Sequence, residues 1–141
     1  MKIRFRKIDP NAKAPVQSTA GAAGFDLTAT DKSYDMNNSV WEYSTGIAVE
    51  IPKGYVGLVF PRSSIYKTGV ILSNAVGVID SDYRGEIKAK FYSLWETLLP
   101  YRIGERICQL VIVPQPEIEF EESEVLTETA RGEGGYGSTG K

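Results

Sequence analysis

The chain contains no histidine, and that one absence removes Ser-His-Asp and Cys-His nucleophilic catalysis together with histidine-based zinc sites. Any general base must be a carboxylate, a lysine or a tyrosine. A single cysteine, Cys108, excludes an internal disulfide. A basic excess is also missing. The 16 Lys and Arg against 18 Asp and Glu leave a formal charge of -2, so no broad positive field exists to hold duplex DNA or an anionic membrane. Direct nucleic-acid binding is therefore not expected, whereas a small polyanion held by a few local cations stays open. No apolar run approaches membrane-spanning length, and the opening Met-Lys-Ile-Arg-Phe-Arg-Lys lacks the apolar stretch of a signal peptide. The expectation is a cytoplasmic protein without membrane contact. Long helical periodicity is lacking too, and 141 residues suffice for one domain with a real core but not for two.

What is present is strand-like. Lys2 to Ile8 alternates, with Ile3 and Phe5 expected inward and Lys2, Arg4 and Arg6 outward. Val40 to Ile51 reads as one extended stretch, closed by the turn Pro52-Lys53-Gly54 and followed by a strand from Tyr55 to Phe60; the turn predicts that the two pair as antiparallel neighbours. Val70 to Ile79 is apolar with interruptions, and Glu86 to Tyr92 alternates with Ile87, Ala89 and Phe91 facing inward. Asp80 to Gly85 must turn the chain between them. Arg102 to Pro114, entered through Gly104-Glu105, is a strand region whose run from Leu110 to Val113 fits burial on both faces. Only Ser64 to Gly69 suits a helix, one or two turns long. The six glutamates from Glu117 to Glu128 read as a solvated final strand and connector. Strands at this density predict an all-β barrel or sandwich.

Five segments carry candidate chemistry. In Gly77-Val78-Ile79-Asp80-Ser81-Asp82-Tyr83-Arg84-Gly85, a hairpin explains the glycines and one aspartate, but Asp80 directly follows an apolar strand. A carboxylate partly desolvated there would gain the basicity that activating a water requires. Tyr83 offers a flat ring to a sugar or base. Pro61-Arg62-Ser63-Ser64 precedes the short helix, where backbone N–H groups, a guanidinium and hydroxyls suit an anion; a plain N-cap with Arg62 in solvent is the bland alternative. In Arg106-Ile107-Cys108-Gln109, Gln109 interrupts an apolar run and needs a hydrogen-bonding partner, while Cys108 reads as a small core side chain. Asp26 in Ala23-Gly24-Phe25-Asp26-Leu27 is either a strand-edge turn residue or a network or metal-linked carboxylate. The last eleven residues hold five glycines, Arg131, Tyr136 and Ser138, and read either as a solvated tail or as a flap that orders over an anionic ligand.

Taken in order, these segments resemble the five motifs of the homotrimeric deoxyuridine triphosphate nucleotidohydrolases, the dUTPases, over nearly the whole chain; Lys67 and Gly69 extend the second, and Leu110 closes the fourth. The resemblance implies a jelly-roll-like β-barrel over residues 1–130 with one short helix, assembling as a trimer. It implies a flexible C-terminal flap over 131–141 that closes on a neighbouring subunit's site. The family hydrolyses dUTP to dUMP and pyrophosphate using Mg²⁺. By resemblance, Asp80 would deprotonate the attacking water, and Tyr83 would pack under the deoxyribose. Asn74 and the backbone of Gly77, Val78, Ile79 and Lys88 would hold uracil. Arg62, Ser63, Ser64 and Gln109 would take phosphates, and Asp26 would reach the metal through water. Arg131 would meet the terminal phosphate, Tyr136 would stack on uracil, and Gly137 and Ser138 would complete the flap. The family usually carries phenylalanine at Tyr136 and glycine at Ser64. Two alternatives share this scaffold: a dCTP deaminase, which needs a glutamate for the exocyclic amine, and a nucleotide-sensing protein that switches a partner as its flap closes.

Overall fold

The computed structural model describes residues 1–94, 101–138 and 140. Ten strands and one five-residue 3-10 helix account for its regular structure, and every strand pairing is antiparallel. The strands are β1 (Arg4–Lys7), β2 (Phe25–Thr28), β3 (Asp31–Asp35), β4 (Val40–Ser44), β5 (Ile47–Glu50), β6 (Tyr55–Pro61), β7 (Val70–Leu72), β8 (Gly77–Ile79), β9 (Lys88–Ser93) and β10 (Arg106–Pro114). They form two four-stranded sheets, β2-β10-β6-β8 and β3-β4-β9-β7, and a two-stranded ribbon β1-β5. This is the expected all-β architecture. Its core is built from the inward residues of both sheets: Leu27, Tyr43, Ile47, Ile51, Ile87, Phe91, Ile107 and Cys108 are each at most 2% exposed. Each large apolar side chain so buried is worth roughly 1.5–3 kcal/mol against exposure.

Five expectations need correction. Val40 to Ile51 is not one strand, because Gly46 adopts φ +65 and splits it into β4 and β5, which join different sheets. A side chain at Gly46 would also strike the Cβ atoms of Ala12 and Asp9, both 2.8 Å from its Cβ position. The hairpin expected across Pro52-Lys53-Gly54 does not pair: β5 lies on β1, whereas β6 lies between β10 and β8. Phe5 does not face the core; it is 45% exposed, as is the whole of β1 to a similar class. The helix is placed one residue early, as a 3-10 turn over Ser63–Lys67. From Gln115 to Glu128 no strand forms, and Ile118 and Phe120 stand exposed.

The strand order sets where functional groups land. In β9 the expected alternation holds, with Ala89 and Phe91 buried and Lys88 and Lys90 outward. In β10 it breaks at a bulge: Arg106 pairs with Thr28 and Cys108 with Leu27, so β10 spends two residues where β2 spends one. Ile107 and Cys108 are both fully buried in consequence, and the side chain of Arg106 is turned to the face shared by Gln109 and Asp26, which are themselves register partners.

Candidate active site

The Asp80 turn and the Asn74 turn form the first half of the site. Asp80, Tyr83, Asn74, Val78 and Lys88 line one cavity of about 440 Å³, beside β8 and β9. The turn is closed by the Tyr83 amide, which donates to the Asp80 carbonyl at 3.1 Å, and by Arg84 Nη1, which donates to the carbonyls of Ser81 and Tyr83. The Tyr83 ring lies across Gly85. A Cβ there would fall 2.4 Å from the Tyr83 hydroxyl, so only glycine permits that ring position. The hydroxyl donates to the Glu86 carbonyl at 3.0 Å and fixes the ring at its far end. At the other wall Ala75 adopts φ 57, which is costly for a non-glycine residue, and the Asn74 side chain rests beside Gly77, whose added Cβ would lie 3.4 Å from Asn74 Nδ2. Asp80 itself is exposed. The partial desolvation expected from its place after an apolar strand is thus not supplied by its own chain.

On the wall of this cavity, Glu42 on β4 accepts from Lys88 Nζ at 2.8 Å and Lys90 Nζ at 3.1 Å. These bonds hold the Glu42 carboxyl below its ordinary range and raise Lys88 above its own. Sequence reasoning missed Glu42; its only signal is its place directly opposite Lys90 in the β4–β9 register.

The phosphate-type residues stand elsewhere. Arg62, Ser64 and Lys67 line a second cavity of about 510 Å³ with Lys13, Arg106 and Tyr101. Arg62 is not in solvent: its Nε donates to Asp26 Oδ1 at 2.8 Å, and no side chain caps the 3-10 helix. Asp26 is 6% exposed, and its other oxygen accepts from Arg106 Nη1 at 2.9 Å and Ser18 Oγ at 2.8 Å. Asp26 is therefore a network carboxylate within β2. Gln109 finds its partner as well, donating from Nε2 to the Pro61 carbonyl at 3.0 Å, and it packs so closely on Gly24 that a Cβ there would lie 2.7 Å from Gln109 Oε1. Cys108 is wholly buried, and burial, aided by the Asp26 charge, pushes its thiol up to about 12. It is inert as a nucleophile.

The two cavities do not meet along one chain. Ile79 pairs with Gly57 on β6, so Asp80 lies beyond Gly57 while Arg62 lies five residues along β6 in the opposite direction. Six strand steps separate them by on the order of 20 Å. The described residues of the C-terminal segment line neither: Tyr136 is fully exposed, and Arg131 Nε donates to the Gly134 carbonyl at 2.9 Å. Thr139 and Lys141 of the expected flap lie outside the described residues.

The family model described as dUTPase matches residues 10–140. The chain belongs to the dUTPase family. It is 42% identical over 142 aligned positions to the deoxyuridine 5'-triphosphate nucleotidohydrolase of Hydrogenobaculum sp. (strain Y04AAS1), covering 99% of each. To the enzyme of that name from Wolinella succinogenes it is 43% identical, covering 100% of this chain and 95% of the relative. Among solved structures, a point mutant of the Staphylococcus bacteriophage 80alpha dUTPase with dUpNHpp matches with a TM-score of 0.83 at 25% identity over 99% of both chains. Another mutant of the 80alpha phage dUTPase matches with a TM-score of 0.80 at 28% identity over 97% of this chain and 98% of that one. No helix among the described residues is long and apolar enough to cross a membrane.

Proposed function

We propose that this dUTPase-family chain hydrolyses dUTP to dUMP and pyrophosphate, as a homotrimer whose sites lie between subunits. The observation that carries the reading is the union of Asp80, Tyr83 and Asn74 on one cavity, with Asp80 at the open rim. Uracil enters against Asn74 and the backbone of β8, and the Tyr83 ring, locked over Gly85, lies under the deoxyribose. Asp80 accepts a proton from water as its oxygen attacks the α-phosphorus; the bond from that phosphorus to the bridging oxygen breaks, and pyrophosphate leaves. The phosphates need cations that Asp80's own chain holds on the order of 20 Å away. A second copy supplies Arg62, Ser63, Ser64 and Gln109, and a flap carrying Arg131, Tyr136, Gly137 and Ser138 closes the site. Closure covers the exposed Asp80, excludes water and strengthens each charge interaction.

Mg²⁺ fits this donor set in one way. Among the described residues no group of three His, Cys, Asp or Glu side chains gathers to build a cage, whereas an ion brought by the triphosphate keeps its waters and needs few protein ligands. When bound it neutralises phosphate charge. The chain's own contribution would be Asp26, through water, beside the bonds its oxygens already accept from Arg62, Arg106 and Ser18.

The deaminase alternative is less well supported by the same cavity. Two glutamates line it, but Glu42 is held by two lysines and Glu86 Oε1 accepts from the Gly46 amide at 2.7 Å, so neither is free to serve an exocyclic amine. The test is incubation with dUTP, dCTP, dTTP and UTP plus Mg²⁺ and identification of products. dUMP with pyrophosphate from dUTP alone is expected; ammonia from dCTP, or binding without turnover, sinks the reading.

A further inference from the structure

The position of the Tyr83 ring is set from outside the turn that carries it. The Tyr83 hydroxyl donates to the Glu86 carbonyl at 3.0 Å, and the hydroxyl end of the ring occupies the space that a Cβ at Gly85 would need. The Glu86 carbonyl shares one planar peptide unit with the Ile87 amide. On the opposite edge of that unit the Ile87 amide donates to the Ile47 carbonyl at 2.8 Å. A single rigid plane thus runs from the start of β5 to the Tyr83 hydroxyl. Its far side is well held: the Ile87 carbonyl accepts from Thr45 Oγ1 at 2.6 Å, and Thr45, Ile47 and Ile87 are each at most 1% exposed.

The Glu86 side chain adds a second attachment to the same corner. Its Oε1 accepts from the Gly46 amide at 2.7 Å, so three successive residues, Thr45, Gly46 and Ile47, each bond the Glu86–Ile87 pair. Gly46 is buried, and its own carbonyl accepts from the Ile8 amide at 2.7 Å, so the corner is itself tied to the chain after β1. The turn does not need the Glu86 carboxylate in order to close. The Tyr83 amide on the Asp80 carbonyl and Arg84 Nη1 on the carbonyls of Ser81 and Tyr83 do that within residues 80–84. What the carboxylate supplies is a fixed place for Glu86 on the wall of the cavity that Asp80 and Tyr83 share. Whatever fixes Glu86 fixes the acceptor of the Tyr83 hydroxyl.

We propose that Glu86 is a positioning residue for sugar recognition: its side chain on the Gly46 amide and its carbonyl on the Tyr83 hydroxyl hold the ring where a deoxyribose fits and a ribose does not. This rests on the reading of the preceding section. The test measures kcat/KM for dUTP and for UTP, with melting temperatures, on the parent, Glu86→Ala, Glu86→Gln, Tyr83→Phe and the Glu86→Ala/Tyr83→Phe double variant. Glu86→Ala is expected to narrow the dUTP-to-UTP ratio by roughly twofold to tenfold, the worth of one hydrogen bond. Glu86→Gln keeps an oxygen for the Gly46 amide and should restore most of the ratio. Tyr83→Phe cuts the same link at its other end and should narrow the ratio too, and the double variant should add little, because both changes act through one series of bonds. A folded Glu86→Ala protein whose ratio changes by less than about twofold, even with a lowered melting temperature, shows a merely structural bond and overturns the proposal. Full additivity in the double variant overturns it equally. Should Glu86→Ala not fold, Glu86→Asp, whose carboxylate stops one methylene short of the Gly46 amide, takes its place under the same criterion. A parent that fails to hydrolyse dUTP, or a Tyr83→Ala variant with an unchanged ratio, sinks the functional reading instead, which keeps the two failures apart.

Discussion

Asp80 and Tyr83 sit in one six-residue turn, yet the fold holds them by different means. The Asp80 side chain is exposed and the turn is closed through its backbone carbonyl, so its substitution costs the fold little. Asp80→Asn is expected to keep the melting temperature and dUTP affinity while turnover falls by several orders of magnitude, since it removes the base and almost no volume. Single-turnover hydrolysis within a few-fold of the parent would show that another group takes the proton. Tyr83 is instead held at its hydroxyl end, which lies over Gly85 and donates to the Glu86 carbonyl. In the proposed pose, a ring held under the sugar would penalise an added 2′-hydroxyl by overlap and by an unpaired polar group. Tyr83→Ala should therefore narrow the gap between dUTP and UTP in kcat/KM, and an unchanged ratio on a folded variant would remove that role.

At the scale of elements, legibility follows from how local each determinant is. β9 could be read outright, because Ile87, Ala89 and Phe91 alternate without interruption and need only a core to face. The β5–β6 hairpin could not. Its turn residues are genuine, with the Tyr55 amide donating to the Pro52 carbonyl at 3.2 Å, but strand partners are chosen by distant contacts, and β1 and β10 won them. Asp26, Arg62 and Gln109 were visible as polar residues in apolar settings. Arg106 was not visible as their companion, since simple alternation puts it on the face of Cys108 and Leu110, and only the bulge reverses that. Gly46 is the corner where β4 leaves one sheet and β5 enters another. Its carbonyl accepts from the Ile8 amide at 2.7 Å, its amide donates to Glu86, and its positive φ forbids a side chain at little cost. Gly46→Ala is expected to destabilise the fold by roughly 1–3 kcal/mol from backbone strain, with further loss from the contacts at Ala12 and Asp9. Denaturant unfolding within a few tenths of a kcal/mol of the parent would mean that the corner relaxes freely.

On the scale of the whole molecule, the separation of the two cavities is what the proposed trimer has to bridge. A single chain presents Asp80 at one end of the β6–β8 pair, the Arg62–Asp26–Arg106 cluster at the other, and a C-terminal segment whose described residues line neither cavity. Residues 131–138 and 140 are polar and glycine-rich, and only Gly134 among them is less than exposed, so the segment adds little to the core. Deleting residues 131–141 should leave the oligomer and its melting temperature nearly intact while activity collapses, because the Arg131 cation, the Tyr136 stacking face and the barrier to water go together. The decisive version mixes two inactive chains, one without the flap and one carrying Asp80→Asn. In a hybrid trimer an intact Asp80 from the first can meet an intact flap from the second, provided the chains are refolded together or exchange. Activity is expected to return in proportion to the hybrids present, verified by mass. Hybrids that stay inactive would place the flap over its own subunit's Asp80, or show that it is no lid, and the shared-site arrangement would have to be given up.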